Sequence, residues 1–485
     1  MKTTSTIRKL LAAAVAVTLL GSCATNPVTG QRQFNLMSES DEIAMGKQAD
    51  SDVKKEYGVY NDPALQAYVN EIGQKLARSS QRANLEWHFT VVDSPEINAF
   101  ALPGGYIYVT RGIMAHLNSE AELAGVIGHE IGHVTARHGA QAQSQGTIAQ
   151  VGAVAAEILG QVYGGVQGLG EIAGQVGQAV ILKYGRDHEL QADQLGAEYL
   201  SRGGYSAKTM INVIGTLKAQ ELAAAERARV QGKTPQRMPD WLSSHPSNDQ
   251  RLNDIINIAA KYPAVPGDGN RNTYLQRTGN MAFGDSREQG ITRGNHFYHE
   301  PLNFAITVPQ GWQFQNSPEK LVMVNAVGDA ALIMASVTGA GANPNEIFKA
   351  VFKPDSGQLS NTTVSGYPAT SFKGTSQGKP VQGVLMAYGG QQFMFVPQAK
   401  DDAAMQRSRN ELSAALNGFH ALTPAEKQAA RPYNLRTVSA GRGMTFASLA
   451  RNSPLGQFAE QELRLLNGMY PSGEPAAGQL IKIVE

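Results

Sequence analysis

Cysteine is nearly absent from this 485-residue sequence: Cys23 stands alone, so no disulfide can form within the chain. Charge of one sign is also lacking. Forty-two basic residues face 41 acidic ones, a net +1, which removes any general electrostatic case for nucleic acid as a partner. Long hydrophobic runs are missing as well. The clearest apolar run, Leu10 to Leu20, is 11 residues long, whereas a bilayer-spanning helix needs roughly 20. The stretch 146–182, rich in Gly, Ala, Val and Ile, is broken by Gln150, Glu157, Gln161, Gln167, Glu171 and Gln175. It reads as one or two loosely packed helices rather than a transmembrane hairpin.

What is present begins at the N-terminus. Lys2, Arg8 and Lys9 precede the apolar run, the form of a secretory signal peptide over residues 1–22. It ends in Leu20-Gly21-Ser22-Cys23, which looks like a bacterial lipobox, making Cys23 the expected lipidation site. Ala24 rather than Asp after it points to an outer-membrane lipoprotein facing the periplasm, held to the membrane by acyl chains on Cys23. Residues 23–37 form a polar tether.

The chemistry gathers around Gly128-His129-Glu130-Ile131-Gly132-His133. On a helix, residues four apart lie about 40° from each other, so His129 and His133 share a face. Two imidazoles so placed suit a zinc ion, and Glu130 stands beside them to take a proton from an attacking water. Ser119 with Glu122 reads as a capping box, Leu123, Val126, Ile127, Ile131 and Val134 form the apolar stripe, and Gly139 is the expected stop. Further on, Glu189 and Asp193 are again four apart on a second helical stretch. His129, His133 and Glu189 complete a three-ligand catalytic set for one zinc per chain, and Asp193 is placed to hold the tautomer of a ligating histidine. At helical spacing His138 falls about 140° off the ligand face; it and His188 read as structural.

Around this motif the pattern predicts helices over Ser38–Tyr57, Pro63–Ser79 and Ser206–Arg229, and another carrying Leu252, Ile255 and Ile256. Trp87, Phe89 and Val91 alternate as a strand, and a strand pair over Asn98–Val109 turns at Pro103-Gly104-Gly105. An extended peptide adding to a strand edge draws its affinity from the main chain, which makes Asn98, Ala99, Phe100 and Ala101 the expected substrate-binding residues. The fold class is α+β: a mainly helical peptidase domain with a small antiparallel sheet over 38–262. A linker follows over 263–293, then a small α+β domain over 294–425 in which His296, His299 and His420 are structural. Residues 431–485 read as strand, two short helices, strand, an order that resembles a LysM module, which would contact peptidoglycan.

The core resembles the zinc metallopeptidase family of the CAAX prenyl protease and HtpX, in its soluble periplasmic, BepA-like branch. The resemblance spans about 26–260 and rests on Asn26 through Gly30, Asn98 through Gly105, the HExxH motif, Arg186 through Asp193, and His245-Pro246 with Arg251. It implies a gluzincin-type zincin fold and metal-assisted peptide hydrolysis. It also implies that His245 lies near the metal, either as donor to the developing oxyanion or as a fourth ligand holding the enzyme off, with Arg251 assisting. Tetratricopeptide repeats follow the peptidase in BepA-like relatives, and no 34-residue period occurs here. The expected activity is a zinc endopeptidase acting on unfolded or misassembled envelope proteins. Two other classes stand beside it: a zinc-stabilised envelope chaperone or scaffold, and a peptidoglycan hydrolase.

Overall fold

The computed structural model describes residues 23–35, 37–144, 184–232, 245, 249–337 and 343–485. The expected signal peptide over 1–22 and the glycine-rich stretch 146–182 lie outside the described residues. Among the described residues, no helix is long and apolar enough to cross a membrane.

The first part of the chain builds a helical core on a small sheet. Glu39–Tyr57 starts at a reciprocal capping box between Ser38 and Asp41. Pro63–Ala77 starts with the Asp62 side chain accepting from Leu65 N and proline in the first turn. Its predicted stripe, Leu65, Tyr68, Val69, Ile72 and Leu76, is buried throughout. The sheet is mixed, not antiparallel. His88–Val92 runs parallel to the central strand Tyr106–Thr110, and Ala99–Leu102 pairs antiparallel on its other side. Only the second pair is joined by a tight turn. The first is joined through residues 93–105: the segment 93–98 crosses to the far edge, Ala99–Leu102 runs back, and the turn returns the chain in the original direction.

The helix carrying HExxH, the motif helix, spans Glu120–Thr135. The Ser119 side chain accepts from Glu122 N, while Glu122 Oε2 accepts from Asn118 N at 2.5 Å, so the return bond lands one residue earlier than a capping box puts it. The helix stops before Gly139, because Arg137 takes a left-handed φ of 62°. A new short helix, His138–Ser144, begins there. Arg186–Arg202, the ligand helix, packs along the motif helix, and Thr209–Val230 and Asp249–Ala259 complete this layer.

Residues 263–293 are not a free linker. They hold a helix, Arg271–Thr278, whose Tyr274 and Leu275 are fully buried, and a short strand, Ala282–Phe283. Buried Arg111 ties this passage to the core by pairing with Asp93 at 2.6 Å and donating to the carbonyls of Ala282 and Gly284. The hydrophobic anchors are single residues in a charged passage, so the composition hides them.

The middle region is larger in sheet than expected. Seven antiparallel strands lie in the order 313–316, 320–324, 330–337, 391–399, 379–388, 367–376 and 356–364, beside a separate four-stranded sheet. The helix Asp402–Asn417 packs on this sheet. His296, His299 and His420 make local hydrogen bonds to Thr307, to the Leu302 amide, and to Gly418 and Glu426.

The last stretch has the expected order: strand Tyr433–Ser439, helices Phe446–Ala450 and Ala459–Leu466, and strand Leu480–Val484 antiparallel to the first. Its apolar side does not close a separate core. Leu435, Phe446, Leu463, Leu466, Ile481 and Val484 join the same buried cluster as Leu123, Val126 and Ile127 of the motif helix. Lys482 is buried with them, its Nζ donating to the carbonyls of Ala115 and Leu117 at 2.6 and 2.7 Å. Burial, only partly offset by Glu122, pushes its ammonium down to about 7.

Candidate metal centre

The site depends on how closely two helices approach. Gly128 and Gly132 of the motif helix face Ala192 and Gly196 of the ligand helix. A Cβ on Gly196 would stand 3.1 Å from His129 N, and one on Gly132 would stand 3.0 Å from the Ala192 carbonyl. Without side chains between them the backbones nearly touch, and Glu189 reaches across. Its two oxygens lie 3.6 Å from His129 Nε2 and 3.5 Å from His133 Nε2, which are themselves 3.1 Å apart. His245 joins this group. Its Nδ1 lies 3.3 Å from His129 Nε2 and 2.9 and 3.0 Å from the oxygens of Glu189. One ligand atom from each of the four residues lies within 4.8 Å of every other, and all four residues are buried.

The surrounding hydrogen bonds fix which nitrogens face inward. His129 Nδ1 lies 2.9 Å from Asp193 Oδ1. Arg251 grips Asp193 with Nε and Nη2, both at 2.8 Å, so Asp193 is an ionised acceptor. Nδ1 of His129 therefore carries a proton, and Nε2 is the nitrogen turned to the centre. His133 has a matching partner. Its Nδ1 lies 2.9 Å from Nδ1 of His138, whose Nε2 meets Gln191 Oε1 at 2.9 Å. The consistent assignment has His133 donating to His138 and His138 donating to Gln191, leaving Nε2 of His133 also turned inward. Burial, reinforced by the stacked His188, pushes His138 down to about 3, so it remains a neutral acceptor at any working pH.

This corrects the expectation that His138 is merely structural. The 140° offset assumed an unbroken helix, and the left-handed Arg137 swings His138 back onto the ligand side. Tyr184 was not singled out either. Its ring stacks on His133 with centroids 4.0 Å apart, and nothing in its sequence neighbourhood marks it.

Electrostatically the centre calls for positive charge. Burial works against a charged His129, but its hydrogen bonds to Asp193 and Glu189 outweigh it and raise the group to about 9. Burial also opposes ionisation of Glu189, yet His245, His129 and His133 hold it well below the usual carboxylate range. Two inward imidazole nitrogens and an ionised carboxylate around one point form a donor set that fits a divalent cation, and His, His, Glu is a set that zinc uses.

Glu130 is fully buried, with Oε1 3.6 Å from His245 Nε2. Arg251 does not face the centre as an oxyanion donor would. It lies behind Asp193 and Glu189, with Nη1 3.0 Å from Glu189 Oε2, and it also donates to the His245 carbonyl at 3.2 Å. Its place is to orient, as Asp193 does. Ala99–Leu102 forms the edge of its sheet, and a small cleft lined by Ala101, Leu102, His133 and Tyr184 joins that edge to the centre. Asn98 opens the strand with its backbone bound to Thr110, and Ala99, Phe100 and Ala101 are buried. Of the loop Ser243–Asn248, only His245 is among the described residues.

Residues 63–259 match the model of peptidase family M48. The chain is 31% identical over 247 residues to a beta-barrel assembly-enhancing protease of Yersinia pestis, covering 50% of this chain and 48% of that protein. It is 27% identical over 285 residues to the protein of the same name from Escherichia coli strain K12, covering 57% and 56%. A mitochondrial metalloendopeptidase OMA1 of Arabidopsis thaliana is 29% identical over 238 residues, covering 48% and 44%. The chain thus spans about half the length of the curated relatives it matches. Residues 63–259, which hold the two inward histidines, Glu130 and Glu189, are thus the part of the chain that is similar to peptidase family M48.

Proposed function

We propose that this chain is a zinc-dependent endopeptidase of the bacterial envelope that cleaves unfolded or misassembled envelope proteins. The observation that carries the proposal is the convergence of His129 Nε2, His133 Nε2 and a Glu189 oxygen on one buried point, with Glu130 adjoining His129 in the same helix. His129, His133 and Glu189 would hold the zinc, which when bound supplies Lewis-acid polarisation of the scissile carbonyl and acidifies water. Glu130 accepts the proton of the attacking water and returns it to the leaving amine. Asp193 and Arg251 hold His129, and His138 and Gln191 hold His133, so the ligand rings need no reorganisation during turnover. The edge of Ala99–Leu102, which pairs with no other strand among the described residues, receives the substrate backbone, which favours extended polypeptide over any particular side chain.

The substrate class draws on the relatives, two of which are named for β-barrel assembly. The envelope location draws on them too, and on the lipobox at Cys23. Cys23→Ser is expected to move the chain from the membrane fraction to the soluble periplasmic fraction, and a variant that still sediments with membranes would refute the lipid anchor.

The decisive variant is Glu130→Gln. It keeps the shape of the side chain and all three ligands, so one zinc per chain should be retained by metal analysis. Cleavage of casein should fall by about 10²–10⁴-fold, the usual contribution of a general base. Full zinc with undiminished cleavage would exclude this mechanism. If the wild-type zinc protein cleaves no polypeptide, the scaffold alternative stands instead.

A further inference from the structure

A buried ion cluster closes the C-terminal end of the motif helix. Glu42, in the helix Glu39–Tyr57, is only 1% exposed and takes two guanidinium groups, Arg82 Nη1 at 2.9 Å and Arg137 Nε at 2.5 Å. Arg82 also donates to the Val134 carbonyl at 3.0 Å. That carbonyl belongs to the last turn, where a helix presents unsatisfied acceptors and the negative end of its dipole. Arg137 Nη2 donates to the Met37 carbonyl at 2.7 Å, in the segment that leads into the first helix.

Arg137 also has a backbone conformation that side chains disfavour. Its φ of 62° is the region glycine occupies freely, yet the residue is arginine. Its side chain is held at both ends of the guanidinium, by Glu42 and by Met37. The next residue is His138, whose Nδ1 meets His133 Nδ1 at 2.9 Å. The turn at Arg137 is thus the last covalent step between this ion cluster and the hydrogen-bond partner of a ligand.

We infer that Arg137 is a positioning residue. By pinning the left-handed turn to Glu42 and to the Met37 carbonyl, it sets His138 against His133 and couples the N-terminal segment to the metal centre. The inference rests on the metallopeptidase reading of that centre. Neither Glu42 nor Arg137 belongs to the four-residue ligand cluster, and both act through His138.

Three variants of the full chain separate this role from simple structural support. Arg137→Gly keeps the left-handed turn without strain and removes the side chain with its guanidinium. Glu42→Gln keeps the shape and removes the charge. His138→Ala removes the ring through which both act. The readouts are the zinc dissociation constant, by competition with a chromophoric chelator, and the melting temperature of the zinc-free protein. Arg137→Gly and Glu42→Gln should each weaken zinc binding by about tenfold, the lower end of what outer partners of metal ligands contribute. In a His138→Ala background, Arg137→Gly should have no further effect, as expected of residues acting through one path. If Glu42→Gln fails to fold because Arg82 and Arg137 lose their shared carboxylate, Arg137→Gly carries the test alone.

Wild-type zinc affinity in Arg137→Gly would overturn the inference, whether or not the zinc-free melting temperature falls. So would an equal loss of affinity with and without His138. A wild-type chain without stoichiometric zinc would instead refute the metal site itself, an outcome visible before any variant is made.

Discussion

At the scale of single residues, the gathering of His129, His133 and Glu189, with Asp193 behind His129, was legible, and the support from His138 was not. The pairs His129 with His133 and Glu189 with Asp193 follow from four-residue spacing, because both stretches are regular helices where that spacing has a fixed meaning, and Glu130 follows from standing beside His129. His138 was misplaced because one non-glycine residue with positive φ breaks the period, and sequence does not announce such residues. His245 is the residue with two open roles. Its Nδ1 lies among the inward ligand atoms, 3.3 Å from His129 Nε2 and 2.9 Å from Glu189 Oε1. That favours the fourth-ligand role over the oxyanion donor. His245→Ala at saturating zinc should therefore raise the rate of peptide cleavage. A donor role would instead lower it by about 10²–10³-fold, so a slower variant would rule out the inhibitory assignment.

At the scale of elements, the motif helix and the helix Pro63–Ala77 were readable because each buries one stripe of well-spaced apolar side chains. The long strands between 356 and 388 were not. Strand Ser356–Val364 is exposed on both faces except at Val364, so it carries no period-two apolar signal. The contact that matters most for the site is also silent in sequence. Glycine enters a helix at a cost of about 1 kcal/mol relative to alanine, and Gly128, Gly132 and Gly196 are retained where a Cβ would meet the neighbouring backbone. Gly196→Val would force the ligand helix away from His129 N, now 3.1 Å from where the Cβ would sit. Glu189 would then lose its reach, and overpacking of this kind costs about 1–3 kcal/mol in stability. The expected result is a folded chain, by circular dichroism, that binds substoichiometric zinc. Stoichiometric zinc in Gly196→Val would mean that helix spacing does not set the ligand geometry.

At the scale of the whole molecule, the strand–helix–helix–strand stretch at the end of the chain was legible as an order of elements, but its relation to the peptidase was not. The sequence of an amphipathic helix states which face is buried, never against what. Here that face is buried against the peptidase. Six side chains from Leu435 to Val484 share the buried cluster of the motif helix, each no more than 3% exposed. Two side-chain contacts reinforce it: Glu462 meets His116 at 3.0 Å by a hydrogen bond and pairs with Arg227 at 2.5 Å. Fully burying an aliphatic or aromatic side chain contributes about 1.5–3 kcal/mol, so six contribute on the order of 9–18 kcal/mol before entropy is counted. A whole domain is stable by only about 5–15 kcal/mol. Removing residues 431–485 should therefore do more than delete a binding module. It should uncover the segment at Ala115 and Leu117 that leads into the motif helix, where Lys482 now donates, and abolish the cooperative thermal transition of the peptidase, together with zinc binding. Calorimetry on the truncated chain checks this. An unchanged transition, with zinc and casein cleavage retained, would show that the shared core contributes nothing and that the last stretch is an independent module.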